Sequence, residues 1–322
     1  MIVKHIVFSI CIILFSVNPA SAKVYYQTNN VKAFSEEYAS YNYSVLIKKG
    51  EARTAREEYF LSYAYLRNKN NVFDDIDYCK AMDGFKIASK NDVADASYVV
   101  AIMYHNGLCV DRNLEKARKF LILSGSRGYV QAQALLGRAY WGENARDLFA
   151  KDTVKARHWL EKAANNGDAP SAIGLSYLYE HGLGGDEYPE LAFKWRRKAS
   201  SLPYGEFAMA YFQPLARYYE NGYGTEADLV QAYKYYDLSG SIGGAGRSRL
   251  SKKMTNEQIA EAKQQSRQWQ EEHRHFNPGY NGLQRQSDGS YRYSTLLTPV
   301  LCRQPEPFQG SDFFVLGDFN AG

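Results

Sequence analysis

The feature that most constrains the fold is a small residue that returns five times, each time with another small residue seven places later. Ala81, Ala117, Ala156, Ala192 and Ala232 pair in this way with Ala88, Ser124, Ala163, Ala199 and Ser239. Offsets of 3 and 7 fall on one stripe of a helix with 3.6 residues per turn. The middle position holds Phe120, Trp159, Trp195 and Tyr235 in four units, and Gly84 followed by Phe85 in the first. Small residues on such a stripe let a second helix approach closely, while the aromatic fills the groove beside them. Eleven residues after each alanine stand Asp92, Gly128, Gly167, Pro203 and Gly243, where each helix is predicted to stop.

A second pattern lies between these helices. Val100-Ala101 with Tyr104 and Gly107, Leu136-Gly137 with Tyr140 and Gly142, Leu175-Ser176 with Tyr179 and Gly182, and Leu215-Ala216 with Tyr219 and Gly222 share one order: apolar, small, then tyrosine, then glycine. Each reads as a helix closed by the residue that tolerates a left-handed turn. The unit is therefore helix A, glycine turn, helix B. Its length varies, with inserted residues at Glu143 to Lys151 and Gly184 to Glu190.

These units resemble Sel1-like repeats, relatives of the tetratricopeptide repeat. The resemblance is carried by Tyr104-His105-Asn106-Gly107-Leu108-Cys109-Val110-Asp111 followed by Lys116-Ala117, and by the stretch Lys155 to Gly167. It covers Ala94 to Gly244 clearly and Glu51 to Asp92 in degraded form. The shifted Trp141-Gly142, the inserted Gly184-Gly185 and a first A helix without its glycine depart from the family pattern and bear on loop geometry. The resemblance implies an all-α, right-handed α-solenoid of about five helix-turn-helix repeats with helical caps and an irregular or β-containing C-terminal tail.

The expected organisation follows. Residues 1–22 read as a secretory leader: Lys4 and His5, an apolar run from Ile6 to Val17, and Ala20-Ser21-Ala22 as a cleavage site before Lys23. Residues 23–50 form an N-terminal capping helix region, 51–250 the repeat array, and 251–275 a closing helix opened by the capping box Thr255-Asn256-Glu257-Gln258. Residues 276–322 are a Gly/Pro/aromatic tail, in which Tyr291 to Leu301 reads as a strand or hairpin arm. No later segment has the ~20 apolar residues of a membrane span. The expected location is the periplasm or outside the cell.

Chemistry-bearing residues are few. In an oxidising compartment Cys79, at the start of a B helix, is expected to pair with Cys109, thirty residues on in the next glycine turn, in preference to Cys302. His105, His158 and His181 occupy surface-type positions, and His273 and His275 lie on different helical faces without a third ligand. No nucleotide, phosphate, metalloprotease or hydrolase motif is present, so no cofactor, metal or catalytic set is expected. A net charge of +4 is too weak a bias to imply nucleic acid.

What remains is surface. With leucine, the small residue and tyrosine of each A helix facing inward, the offsets −6, −2 and +1 from that tyrosine face away. By analogy with tetratricopeptide arrays, they line a concave, partner-binding side made of Tyr98, Ile102, His105, Arg138, Trp141, Tyr177, Glu180, Arg217 and Glu220. Aromatic and arginine residues are the types enriched in binding hot spots. The resemblance implies a non-enzymatic scaffold for a protein partner in an envelope assembly, such as exopolysaccharide export, a flagellar motor or signalling. The competing reading, a cell-wall or β-lactam-type ligand binder or hydrolase as in cysteine-rich relatives, lacks the paired cysteines expected in every unit.

Overall fold

A computed structural model of the protein describes residues 22–27, 31–67, 73, 75–202, 208–273, 283–285 and 291–293. Residues 1–21 of the expected leader, Pro203, Cys302 and most of the tail lie outside the described residues. The protein has an all-α repeat fold, which divides into two compact units, Met1–Ala132 and Gln133–Gly322.

The first unit holds α1 (Val31–Ser40), α2 (Tyr43–Lys49), α3 (Ala55–Arg67), α4 (Tyr78–Lys90), α5 (Ala94–Asn106) and α6 (Leu114–Ser126). The continuous helical composition of 33–49 conceals a break, because the Asn42 side chain accepts from the Val45 amide and starts α2 afresh. Phe34 of α1 packs at 5.1 Å from Phe60 and 5.0 Å from Tyr63, both on α3. The helices α3 and α4 occupy the stretch expected to be a degraded first repeat.

The second unit holds α7 (Val130–Trp141), whose first residues precede the division, then α8 (Thr153–Asn165), α9 (Ala169–Glu180), α10 (Pro189–Ala199), α11 (Ala208–Asn221) and α12 (Leu229–Leu238). It ends in α13 (Gly244–Leu250), α14 (Asn256–His273) and an antiparallel pair, β1 (Leu283–Arg285) with β2 (Tyr291–Tyr293). The capping box at the start of α14 forms: the Thr255 amide donates to Gln258 Oε1, and the Gln258 amide to Thr255 Oγ1. The expected stop at Gly243 is corrected. The helix α12 ends at Leu238, Gly240 takes the left-handed φ of 64°, and Gly243 instead opens α13. A Cβ on Gly243 would lie 1.8 Å from the Tyr236 carbonyl oxygen, so glycine is there to let α13 close over Tyr236.

The small-residue stripe is the buried seam of every B helix. All five alanines of the pattern are fully buried, and their partners seven residues on are buried too. A recurring backbone bond locks each B helix to its A helix. The carbonyls of Tyr65, Tyr104, Tyr140, Tyr179 and Tyr219 accept from the amides of Asp77, Asn113, Asp152, Tyr188 and Asp228 at 2.8–3.0 Å. Four of those five residues then cap the B helix with their side chains, each cap contributing about 1 kcal/mol. Lys80, Lys116 and Lys155, three residues after the cap, lie over the rings of Tyr65, Tyr104 and Tyr140. The tyrosines are thus a joint, and Tyr65 identifies α3 as an A helix although its glycine is missing.

A second joint uses the residue two places after the turn glycine. Gly184 and Gly224 have φ of 86° and 66° and press on the first residues of α8 and α10. A Cβ on Gly224 would stand 2.0 Å from the Pro189 carbonyl oxygen, and one on Gly184 2.5 Å from that of Thr153. Gly184 is therefore a close-approach position, not a bare insertion. Gly224→Ala is expected to destabilise the second unit by about 3 kcal/mol, since backbone strain and a main-chain clash add. Gly167→Ala, also at positive φ but with open space around it, should cost about 1 kcal/mol. All four tryptophans lie in the second unit, so urea unfolding followed by tryptophan fluorescence reads both variants. Equal losses would refute the close-approach role.

Candidate functional site

The expected binding stripe falls partly in each unit, and its first members are not surface. Tyr98 is 6% exposed and meets Tyr129 edge-on at 5.3 Å, and Ile102 is 1% exposed. This corrects their assignment to a partner-binding face. Every residue of α5 from Ala94 to Tyr104 is buried, the polar Asp95 and Ser97 included, so the helix has no free side to offer there. His105 is half-buried, with Nδ1 2.7 Å from Asn106 Oδ1, and its carbonyl accepts from Arg112 Nε. It is tied into the turn.

In the second unit the residue following each signature tyrosine reaches a partner on another helix, in the next repeat for Trp141 and Glu180 and on α12 and α13 for Glu220. Trp141 packs on Tyr177 with ring centroids 5.5 Å apart. The tryptophan fits because Gly174 has no side chain, for a Cβ there would lie 3.1 Å from the indole. Glu180 accepts from the Tyr218 hydroxyl at 2.6 Å, and its carbonyl from the Tyr223 hydroxyl. Glu220 accepts from the Tyr236 hydroxyl at 2.7 Å and takes two bonds from Arg249, at 2.7 and 2.6 Å.

The Arg249 guanidinium bonded to Glu220 holds that carboxyl below the usual carboxylate range. Burial, reinforced by the carboxylates they serve, pushes the Tyr218 and Tyr236 hydroxyls up to about 12. The phenols donate and the carboxylates accept, so Glu180 ties α9 to α11 of the next repeat, while Glu220 ties α11 to α12 of its own repeat and to α13.

The exposed remainder is compact. Tyr177 is 41% exposed and stacks on His181 with centroids 4.0 Å apart, and the His181 Nδ1 lies 3.0 Å from the Tyr177 carbonyl oxygen. Trp141, Tyr177 and His181 thus form one continuous aromatic surface on α7, α9 and the turn that follows. Arg138 is half-buried on the last turns of α7, and Arg217 is exposed on α11. Sequence reasoning passed over His181 as a solvated polar residue, although its i, i+4 spacing from Tyr177 is the signal for a stacked pair. Arg249 was also missed, and no local pattern marks it, since it meets Glu220 across 29 residues.

In the first unit a disulfide joins Cys79 and Cys109, with Cα atoms 5.0 Å apart. Cys109 stands two residues after Gly107 at φ of 62°, and Cys79 is the second residue of α4. These are the positions at which Gly184 meets α8 and Gly224 meets α10. The bridge is a covalent form of the joint that glycine makes elsewhere. It borders an open cavity of about 600 Å³ lined by Tyr65, Phe73, Asp75, Ile76, Tyr78 and Lys80 among others. Among the described residues no group of three or more His, Cys, Asp or Glu side chains converges as a metal site. No described helix is long and apolar enough to cross a membrane.

Comparison with known proteins agrees with this architecture. The Sel1 repeat model matches residues 94–129, 130–168, 169–204 and 203–243, which are the repeats from α5 to α12. A stretch of 152 residues is 31% identical to the chitin synthase regulator SKT5 of Saccharomyces cerevisiae, covering 45% of this chain and 20% of that protein. Among solved structures, a protective antigen of uropathogenic Escherichia coli strains matches with a TM-score of 0.52 and 25% identity over 74% of this chain and 49% of its own. A Sel1 repeat protein from Oxalobacter formigenes matches with a TM-score of 0.50 and 18% identity over 65% of this chain and 58% of its own. The chain spans about a fifth of the yeast regulator and about half of each of the two structures.

Proposed function

We propose that this chain, which carries four Sel1 repeats, is a non-enzymatic adaptor that holds a protein partner, and that it works in the periplasm or outside the cell. The observation that carries the adaptor reading is the Trp141–Tyr177–His181 aromatic surface, in which Trp141 is half-buried and Tyr177 and His181 are exposed, while the neighbouring Glu180 and Glu220 are engaged by Tyr218, Tyr236 and Arg249. Rigid aromatic side chains give large contact area at little entropic cost, which is why they anchor interfaces. Repeat proteins of Sel1 type mediate protein–protein interaction, and the partly matching yeast protein bears the name of a regulator. The location rests on the leader pattern at residues 1–22 and on the Cys79–Cys109 bridge, which suits an oxidising compartment. An envelope assembly is the setting we favour.

A photoreactive phenylalanine analogue at position 177 should cross-link a discrete partner in living cells. The same analogue at Val154, which is 65% exposed on the second residue of α8, should not. Adding Trp141→Ala should abolish the cross-link from position 177 while leaving the helical circular dichroism intact. Equal labelling from both positions, or a cross-link indifferent to Trp141, would refute the aromatic surface as the grip.

A further inference from the structure

The first unit contains a groove that is already filled by an extended peptide, and that peptide is its own N-terminal segment. Lys23 forms a parallel bridge with Val93: its amide donates to the Asp92 carbonyl at 2.9 Å, and its carbonyl accepts from the Ala94 amide at 2.8 Å. The amides of Tyr25 and Tyr26 both donate to Asp95 Oδ2, at 3.2 and 2.8 Å. The Tyr25 ring meets Tyr59 edge-on at 5.3 Å beneath the Arg56 guanidinium, and Tyr26, 3% exposed, meets Phe34 edge-on at 5.3 Å. In five residues the groove supplies a β-bridge, a buried carboxylate for two consecutive amides, and two aromatic pockets.

Val93 opens α5 without any side-chain cap, and Asp95 sits in the first turn of that helix. The Lys23 carbonyl therefore satisfies one of the amides that a helix start leaves unpaired. Residues 22–27 complete α5 in the way a cap would. The Lys23 nitrogen in turn faces the Asp92 carbonyl, just past the C-terminal end of α4, where unpaired carbonyls favour a positive charge. The Asp92 carboxylate is already bonded by Arg127 Nη2 at 2.6 Å, so the attraction available there comes from carbonyls and is modest.

We propose that this groove is a binding site for an extended peptide N-terminus, and that its occupant is the new terminus made when the leader is cut between Ala22 and Lys23. The proposal rests on that reading of the leader. Cleavage converts the Lys23 amide into an ammonium that keeps its bond to the Asp92 carbonyl and adds a charge at the end of α4. Cleavage also precedes docking. Once the Lys23 amide and carbonyl are engaged and Tyr26 is buried, the bond before Lys23 lacks the free extended chain that a protease needs.

The test uses two recombinant chains, one starting at Lys23 and one at Thr28, followed by hydrogen exchange of the Ala94 amide. The Lys23 chain should protect that amide at least about tenfold more. A synthetic Lys-Val-Tyr-Tyr-Gln peptide added to the Thr28 chain should restore protection, and its N-acetylated form should bind about threefold more weakly, the ratio expected for a charge at a helix end. Equal protection in the two chains would overturn the site. Equal binding of the free and acetylated peptides would overturn the part assigned to the ammonium. Mass spectrometry of the exported protein is a separate arm: a terminus other than Lys23 would overturn the processing step while the groove, tested on recombinant chains, stands or falls by itself.

Discussion

Replacing Cys79 and Cys109 together by serine is expected to lower the stability of the first unit by about 3.5 kcal/mol, the loop-entropy value for a bridge spanning thirty residues. Both half-cystines are exposed, so removing the sulfurs leaves no cavity, and the loss is dominated by the freed unfolded chain. Position 109 allows a sharper test. Its φ of 62° is costly for any residue with a Cβ, and the equivalent positions 184 and 224 carry glycine. Cys79→Ser with Cys109→Gly should therefore be about 1 kcal/mol more stable than the double serine variant. Hydrogen exchange of α4 and α5 reads the effect locally. A double serine variant as stable as the oxidised protein would show that the bridge is incidental, and a glycine variant no better than serine would remove the equivalence with Gly184 and Gly224.

That equivalence illustrates what the sequence shows and what it hides. The seam of Ala81, Ala117, Ala156, Ala192 and Ala232 was visible because helix periodicity is local, and all five alanines are buried where the offsets place them. Cys79 and Cys109 were paired from their places in successive repeats, and the structure joins them. The binding stripe was a different matter. It assumed that the −6 and −2 positions of each A helix face outward, which fails for Tyr98 and Ile102 because α5 has neighbours on every side. The continuous run Tyr98 to Met103 carried that signal, since apolar residues without a polar side mark an enclosed helix. The bonds from Glu180 to Tyr218 and from Glu220 to Arg249 join residues 38 and 29 apart, and only tertiary packing, of one repeat on the next or of α13 on the last, brings them together. Gly243 was read as a helix stop, whereas its close approach to Tyr236 is a tertiary demand that no dipeptide pattern expresses.

Asp95→Asn is expected to stabilise the first unit at neutral pH and to flatten its pH dependence. The Asp95 carboxyl is buried, and burial pushes its pKa up to about 6 although the Tyr26 and Tyr25 amides and the Tyr59 hydroxyl favour the ionised form. In the unfolded chain it titrates near 3.9. Between about pH 4 and 6 the folded form therefore binds the proton that the unfolded form has released, and stability falls as the pH rises through that window. The loss is complete above pH 6 and amounts to about 3 kcal/mol for a shift of this size. The surrounding groups leave the window clear. Burial holds the Tyr59 and Tyr129 hydroxyls far above it, Tyr25 is raised as well, and Glu37, bonded to Arg56, titrates below the usual carboxylate range. Asparagine keeps an acceptor oxygen for the amides of Tyr25 and Tyr26 but carries no charge to desolvate. The stability difference between the variant and the parent should be near zero at pH 4 and grow to about 2–3 kcal/mol in favour of asparagine at pH 7.5. Urea denaturation followed by circular dichroism across that range measures it, and a difference independent of pH would show that the ionised Asp95 carboxylate is not the source of strain in the core of the first unit.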